Sequence, residues 1–344
     1  HRRGIRLLAR TDFSKVRRPI YEMHPEWAYV SPKGEIVDYN GDVHICINGD
    51  YQQHYALEII RELITTYDVD GIFFNMGGFQ TRDYSGAYYG PCHCVACQRA
   101  FGEMYGLPLP RVEDLADPAY RKYRVFQRQV VNDLNARVQA LIHRLRPEIC
   151  IDRDASGSGY IRQESNTALD PPLPHWQYSA SANTKWAVSS YPGMISSNTT
   201  VDFIDFPVRH VAVSPHQQAL RLAQSLANGG ALDYYLIGRL DNHADRSGFA
   251  PIRRIFAYHA AHEDEYVGLR PHAEIALLDD SHGNSAECRG WYRVLSEYHH
   301  LFALPQVEAA ATLSWERYRA VILPDLRYLS DTLAARLDRF VAEG

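Results

Sequence analysis

Residues 51–76 read YQQHYALEIIRELITTYDVDGIFFNM, and this stretch decides the fold class. Ala56, Ile59, Ile60, Leu63, Ile64 and Tyr67 recur at the spacing of one helical face, which predicts an amphipathic helix from Tyr51 to Tyr67. Val69 to Phe74 follows as a short run of apolar and aromatic residues, the composition of a strand buried on both faces. A helix followed at once by a buried strand is the repeating element of a parallel sheet covered by helices, so the class is α/β.

Outward from this unit the pattern repeats. Upstream, Ile5 to Ala9 is a first strand. Downstream, Tyr120 to Leu145 is a long helix, with Val130, Val131, Leu134, Val138, Leu141, Ile142 and Leu145 on its inner face, and Ile149 to Ile151 is the strand after it. Trp176 to Ser179, Val201 to Ile204 and Leu232 to Ile237 are read as further strands. Between the last two, Pro215 to Asn228 is a helix with proline at its start and Gly229-Gly230 at its end. Two architectures take such a run: an open doubly wound sheet, or a closed (β/α)8 barrel, which needs eight strands and would place two of them before His1. After Arg270-Pro271 the character changes. Glu274 to Leu278 and Tyr318 to Leu323 read as strands, and Trp291 to Phe302 and Thr332 to Val341 as helices, the opening of a second α/β domain. The expected division is therefore 1–269 and 270–344, with both chain ends cut from something longer, since His1-Arg2-Arg3-Gly4 is neither a methionine start nor a signal peptide.

Composition narrows the function classes. The chain has 344 residues, 46% of them hydrophobic, and a net charge of -5, which leaves no basic stripe for nucleic acid and no polybasic patch for a membrane surface. No apolar run approaches the roughly 20 residues that cross a bilayer. The 23 tyrosines and 5 tryptophans suit a cleft rich in amphipathic rings, as sugar-binding clefts are, and equally suit a filled core.

Cys92-His93-Cys94-Val95-Ala96-Cys97 places three thiols within six residues, too close for three separate disulfides. Such thiols point to a metal site or to a reducing compartment such as the cytoplasm, and three thiolates so spaced fit one face of a tetrahedral zinc ion. Cys46 is the candidate fourth ligand and His93 the runner-up. Four thiolates would close the coordination sphere, making the ion structural. The residues point to no organic cofactor: neither a glycine-rich phosphate loop, an HExxH motif nor a GxSxG elbow is present.

In parallel α/β folds the chemistry sits where strands end and loops begin. Arg10 and Asp12 follow the first strand; Asn75, Arg82 and Asp83 follow the second; Asp152, Arg153 and Asp154 follow the third, with Arg162 and Glu164 beyond. Asp205 ends the run from Val201, and Arg239, Asp241, Asn242 and His243 follow the last strand. Glycoside hydrolysis needs two carboxyl groups across the scissile bond, and this set supplies several pairs. The arginines can pair with these aspartates or hold the carboxylate of an acidic sugar.

Val69-Asp70-Gly71-Ile72-Phe73-Phe74-Asn75-Met76, then the cysteine run, then Phe101-Gly102-Glu103-Met104-Tyr105-Gly106, resembles the fourth-strand and cysteine-loop region of family 42 glycoside hydrolases, and more closely the group called hypothetical glycosyl hydrolase 6. Ile204-Asp205-Phe206-Pro207 and the stretch from Ser214 to Arg239 are similar to that family's seventh- and eighth-strand region. The resemblance implies a (β/α)8 TIM barrel followed by part of a flavodoxin-like, amidotransferase-like trimerisation domain, zinc on Cys46, Cys92, Cys94 and Cys97, and Asp205 at the position of a catalytic carboxylate. It also carries a departure: the family has Asn-Glu at the end of strand four, with the glutamate as acid, where this chain has Asn75-Met76. A thioether cannot donate a proton, so the acid is expected from Asp83, Asp12 or Glu164, in that order.

The expectation is a glycoside hydrolase with Asp205 as nucleophile or base and Asp83 as acid. Arg10, Asn75, Arg82, Arg162, Arg239 and Asp241 would hold the sugar. The substrate is an oligosaccharide or glycoside, whether galactoside, fucoside or acidic sugar, and the chain is expected to form a homo-oligomer. The alternatives are a catalytically silent carbohydrate-binding barrel and a structural or assembly subunit.

Overall fold

The computed structural model describes residues 5–152, 154, 159–165, 176–204, 210–280, 285–326 and 328–343. The chain forms two compact units, His1–Asp152 and Arg153–Gly344.

In the first unit, β1 (Leu8–Thr11), β5 (Gly71–Phe74) and β6 (Cys150–Ile151) form a parallel sheet with β5 in the middle. The first strand lies three residues later than its apolar run suggests, because Leu7 and Leu8 are exposed and pairing begins only at Leu8↔Gly71. The expected helix over 51–67 is present as a widened opening turn, Tyr51–Tyr55, running into α2 (Ala56–Thr66). The helix α4 spans Pro118–Leu145; the Asp117 side chain accepts a bond from the Ala119 amide, Pro118 opens the first turn, and His143 and Arg144 sit in the last. Ile60 and Ile64 of α2 and Val138, Leu141 and Ile142 of α4 close over Val69, Ile72, Ile149 and Ile151, the core of this sheet.

Between β1 and α2 the chain makes an excursion absent from the sequence reading. β2 (Lys15–Arg17), β3 (Asp38–Tyr39) and β4 (Asp42–His44) form an antiparallel sheet in the order β2-β4-β3, with the six-residue α1 (Arg18–Met23) beside it. Its tight turn is Asn40-Gly41, both at positive φ (55° and 84°), the left-handed pair that a two-residue hairpin requires. A further helix, α3 (Val95–Tyr105), starts at Cys94 and ends at Gly106, also left-handed.

The second unit holds a parallel sheet of β7 (Tyr160–Ser165), β8 (Ile195–Val201) and β9 (Ala231–Tyr235), with α5 (Ser179–Ser190) and α6 (Pro215–Ala227) packed on it. Two strand expectations fail here. Trp176 to Ser179 is not a strand: the Trp176 and Tyr178 rings pack edge-on and tilted against Tyr292, and α5 begins at Ser179. The strand instead is β7, whose alternation of Ile161 and Ser165 with Arg162 and Glu164 hides it from a search for apolar runs. Likewise β8 reads ISSNTTV and ends at Val201, where the apolar run was expected to begin; its Ser196, Asn198, Thr199 and Thr200 are buried polar residues.

Two short helices, α7 (Phe249–Ala261) and α8 (Glu263–Tyr266), lead to a second parallel sheet, β11-β10-β12, built from β10 (Ile275–Leu277), β11 (Phe302–Ala303) and β12 (Ala320–Ile322). With it go α9 (Ala286–Glu297), the one-turn α10 (Val307–Ala310) and α11 (Asp331–Glu343). The helix expected over 291–302 sits five residues earlier, because the Ser285 hydroxyl caps it by accepting from the Cys288 amide and Phe302 already belongs to β11. Leu277, Cys288, Tyr292 and Phe302 share one core with Ile161, Trp186 and Ala187, so the residues after 270 are packed continuously with α5 and β7. Among the described residues no sheet closes on itself: the six parallel strands before residue 268 stand as two sets of three.

Ile142 is fully buried between α2 and the first sheet. Ile142→Ala should cost about 2–5 kcal/mol of stability, read as a lower denaturant midpoint at unchanged slope; a loss under about 1 kcal/mol would mean that α4 is not seated on that sheet.

Candidate functional site

Thr11 pairs with Phe74 in the β1–β5 register, so the next residues, Asp12 and Asn75, emerge side by side at the carboxyl ends of both strands. The Asn75 amide hydrogen-bonds back to the Thr11 carbonyl at 2.8 Å, and its side chain donates to Asp12 Oδ2 at 3.0 Å. Lys15 Nζ donates to the same oxygen at 2.9 Å, while the Ser14 amide and hydroxyl donate to Oδ1 at 3.1 and 2.6 Å. Lys15 also donates to the Tyr84 hydroxyl at 2.5 Å and lies 4.8 Å above that ring. Burial pushes the Asp12 carboxyl up, but the bonds from Ser14, Lys15 and Asn75 together outweigh it and hold the group below its ordinary value of 3.8. Burial pulls the Lys15 ammonium down, and Tyr84 and Asp12 more than restore it. An ionised acceptor beside an amide and an ammonium suits the binding of hydroxyl groups or the work of a base, and does not suit proton donation.

Asp83 is turned into its own loop. Oδ1 accepts from the Ser85 amide and hydroxyl and the Ala87 amide (2.8, 2.6 and 3.1 Å), and Oδ2 from the Tyr89 hydroxyl at 3.1 Å. Burial raises this carboxyl too, and those donors bring it below the usual range. Arg82 is engaged in the same loop, donating to the Gly86 carbonyl at 2.9 Å and lying over the Tyr88 ring. Arg10 is exposed at the end of β1, and Met76 takes the left-handed region (φ 57°) and is exposed.

In the second unit one face of β7, β8 and β9 is polar. Arg162 Nε donates to Asp233 at 3.0 Å and Nη1 to Glu164 at 3.0 Å; Ser197 donates to Asp233 at 3.2 Å, and Thr199 donates to it also. The register that pairs Arg162 with Ser197 and Thr199 with Asp233 puts all five on one side of the sheet. Arg239 and Asp241 pair with one another on the surface, both well exposed. Asp205 and Arg153 lie outside the described residues. Sequence reasoning missed Lys15, Tyr84, Asp202 and Asp233, none of which directly follows an apolar run; His243, which it had noted only in passing, pairs with buried Asp202.

Cys46, Cys92, Cys94 and Cys97 come together as four buried sulfurs within 4.8 Å of one another, a group that can hold a metal ion. His93 is not among them; its Nδ1 lies 3.0 Å from the Pro91 carbonyl. Three donors aim at the sulfurs: the Asn48 amide at Cys46 (3.3 Å), the Asn48 side chain at Cys97 (3.2 Å) and the Cys97 amide at Cys94 (3.4 Å). Bonds from Cys46, Cys92 and Cys97 drive the Cys94 thiol below its ordinary value. Tyr29, Phe101, Tyr123 and Phe126 pack around the cluster and exclude water from it.

No curated protein matches the sequence. Residues 1–76 match the family model described as hypothetical glycosyl hydrolase 6. Over its whole length the chain is similar in structure to α-L-fucosidase isoenzyme 2 from Paenibacillus thiaminolyticus, at 21% identity and a TM-score of 0.73, covering 52% of that chain. It is similar also to β-galactosidase from Bacillus circulans sp. alkalophilus (16% identity, TM-score 0.73, 61% of that chain) and to the β-galactosidase of Rahnella sp. R3 (14%, 0.70 and 60%), again over 100% of its own length. These likenesses establish a shared fold, and with the family match they support a relationship to the glycosyl hydrolases. The chain spans between half and two thirds of the length of these enzymes. Among the described residues no helix is long and apolar enough to cross a membrane.

Because Asp12 binds its proton more weakly folded than unfolded, its contribution to stability is complete above the ordinary carboxylate value of 3.8 and is lost as pH falls through the lower folded value. Acid titration of stability from about pH 5 downward should therefore be shallower in Asp12→Asn than in the parent chain; identical slopes would show that the Ser14, Lys15 and Asn75 bonds do not stabilise the ionised form.

Proposed function

We propose that this chain is the core of a glycoside hydrolase, a (β/α)8 barrel that cleaves a galactoside, a fucoside or an acidic sugar with carboxylates at the carboxyl ends of its parallel strands. One observation carries the reading: the whole chain shares its fold with a fucosidase and with β-galactosidases, and its first 76 residues match a glycosyl hydrolase family model. Asp205 is the nucleophile or base in this reading, on the resemblance of its surroundings to family 42. Asp12 and Asn75 would bind sugar hydroxyls, with Arg10 beside them. Asp83, first choice as acid from sequence, is held ionised by four donors, as Asp12 is. Glu164, the exposed carboxylate of the three, stands on the polar face with Asp233 and is paired with Arg162, so all three candidates for the acid are engaged by donors and the order Asp83, Asp12, Glu164 is kept. The Arg162 guanidinium that holds both groups is the natural contact for a substrate carboxylate.

The four thiols fit zinc. Metal–sulfur bonds of about 2.3 Å in a tetrahedron place the sulfurs roughly 3.8 Å apart, and the contacts of Cys46 with Cys94 and Cys97, 3.3 Å each, need only a small outward shift. Bound there, zinc would tie the loop before α2 to the start of α3, and its closed sphere would leave no position for a substrate water. Homo-oligomer formation through the residues after 270 belongs to the same reading and rests on the resemblance to the trimerisation domain.

A panel of aryl glycosides, including galactosides, fucosides and uronides, tests the hydrolase. One member should release its aglycone, and Asp205→Asn should abolish that release while zinc content and the thermal midpoint stay unchanged. Binding of a sugar without release of any aglycone would favour the silent carbohydrate-binding barrel, which Met76 at the expected position of the acid supports. Elemental analysis should find one zinc per chain, lost in Cys97→Ser; a metal-free chain of unchanged stability would overturn the zinc assignment.

A further inference from the structure

Asp202, the first residue beyond β8, is a buried carboxylate of the second unit, 2% exposed. Three side chains converge on it. Gln218 of α6 donates to Oδ1 at 2.7 Å, the Tyr234 hydroxyl of β9 donates to the same oxygen, and His243 of the loop after β9 meets Oδ2 at 3.1 Å. A carboxylate oxygen accepts, so His243 donates from Nε2, with its ring stacked on Phe249 at the start of α7. Buried and filled on both oxygens, Asp202 is closed to a substrate.

The backbone around it explains what so much bonding secures. The Asp202 amide donates to the Tyr235 carbonyl at 2.8 Å, the end of the β8–β9 pairing. The chain then folds back on itself. Ile204 donates to the Val211 carbonyl at 3.2 Å, Phe203 bridges Ala212 antiparallel, and Val213 donates to the Asp202 carbonyl at 2.6 Å. Gln218 joins the two arms, because the nitrogen that reaches Asp202 on the outgoing arm also donates to the Val213 carbonyl on the returning arm at 3.3 Å. Phe203 and Val213 are buried beneath this ladder. Asp205 is the next residue after the outgoing arm.

We propose that Asp202, held by His243, Tyr234 and Gln218, is a positioning group for the glycosidase reaction, clamping residues 202–204 to residues 211–213 on either side of the stretch of sequence that contains Asp205. The proposal rests on the reading of Asp205 as nucleophile or base. A three-rung ladder in isolation is too short to persist, and a misplacement of about 1 Å at a reacting group costs on the order of 100-fold in rate, so the clamp is worth burying Asp202 with its three partners. Its components are not interchangeable: a buried carboxylate accepts from all three donors at once, whereas an amide in its place would turn an N–H toward one of them.

Two measurements on the full chain test this. With the aryl glycoside that the parent hydrolyses, Asp202→Asn should lower kcat by about 100-fold and move KM less than about threefold, and Tyr234→Phe, which removes one bond of three, should fall between. Hydrogen exchange at the Ile204 and Val213 amides, the two donors of the fold-back, should rise at least about tenfold in Asp202→Asn, with exchange inside β8 between Ser197 and Thr200 unchanged. Gly248→Ala reaches the clamp from the other side, since a methyl there would lie 1.8 Å from Gln218 Oε1; it should raise exchange at the same amides. A rise spread evenly along β8, or faster exchange of the two amides with kcat unaltered, would overturn the proposal. A parent chain that hydrolyses nothing would end the hydrolase reading, and with it the catalytic purpose of the clamp, while the exchange pattern would still decide whether Asp202 holds the two arms.

Discussion

At Gly71 the backbone of β6 and the side chain of Leu8 in β1 come so close to β5 that no side chain fits between them. A Cβ there would stand 2.3 Å from Leu8 Cδ2 and 2.8 Å from the Cys150 carbonyl oxygen. The leucine tip can move, but the carbonyl is backbone and cannot, so the middle strand of the sheet must begin with glycine. From that pairing the register runs without slip to Thr11↔Phe74, and the register alone delivers Asp12 and Asn75 to adjoining positions at the strand ends. Shifting it by one residue would turn Ile72 away from the α2–α4 core. The apolar face and the polar rim are thus two consequences of one alignment.

The carboxylates at the strand ends are ranked by who answers them. Asp12 is half-buried, which costs, yet it takes four hydrogen bonds, one from an ammonium. Bonds to a charged group contribute about 1.5–3 kcal/mol each, so the ionised form wins. Arg239 and Asp241 pair in water, where an exposed pair is worth about 0–1 kcal/mol, and their bond says little about either residue's task. Arg162 lies between these cases, serving Glu164 and Asp233 on the polar face of a sheet whose other face is packed by α5. Burial and partner identity, more than distance, separate a group with a role from a solvated pair.

The thiol cluster follows the same logic in a drier place. Cys94 ends the chain's approach to α3, accepts the Cys97 amide as its N-cap, and belongs to the sulfur group as well. One residue therefore starts a helix and helps to gather a metal-holding set, with aromatic rings closing over both. Four sulfurs so confined share protons among themselves in the absence of a cation, and a divalent ion would replace those protons with a single charge at their centre.

Much of this was legible in the residues. The apolar faces of α2, α4 and α6, the strands at β5, β6, β9, β10 and β12, and the four cysteines all carry local patterns: period 3.6, short buried runs, a CxCxxC spacing. The elements that were misread have composition without pattern. β7 and β8 are rich in Arg, Glu, Ser, Thr and Asn because one face is polar and much of the other is satisfied by buried hydrogen bonds, so hydrophobicity passes over them. The Asn40-Gly41 turn was a visible hairpin signal left unused. With β8 ending at Val201, the rule that polar residues after a strand merit attention leads directly to Asp202; with the strand placed at 201–204 it leads past it. The sequence by itself determined the α/β class, the helix faces and the candidate metal ligands, since each depends on neighbours a few residues apart. Only the tertiary structure decided which donors surround Asp12 and Asp83 and which side chains gather on buried Asp202, since those depend on partners brought from other elements, and spacing along a chain holds no record of them.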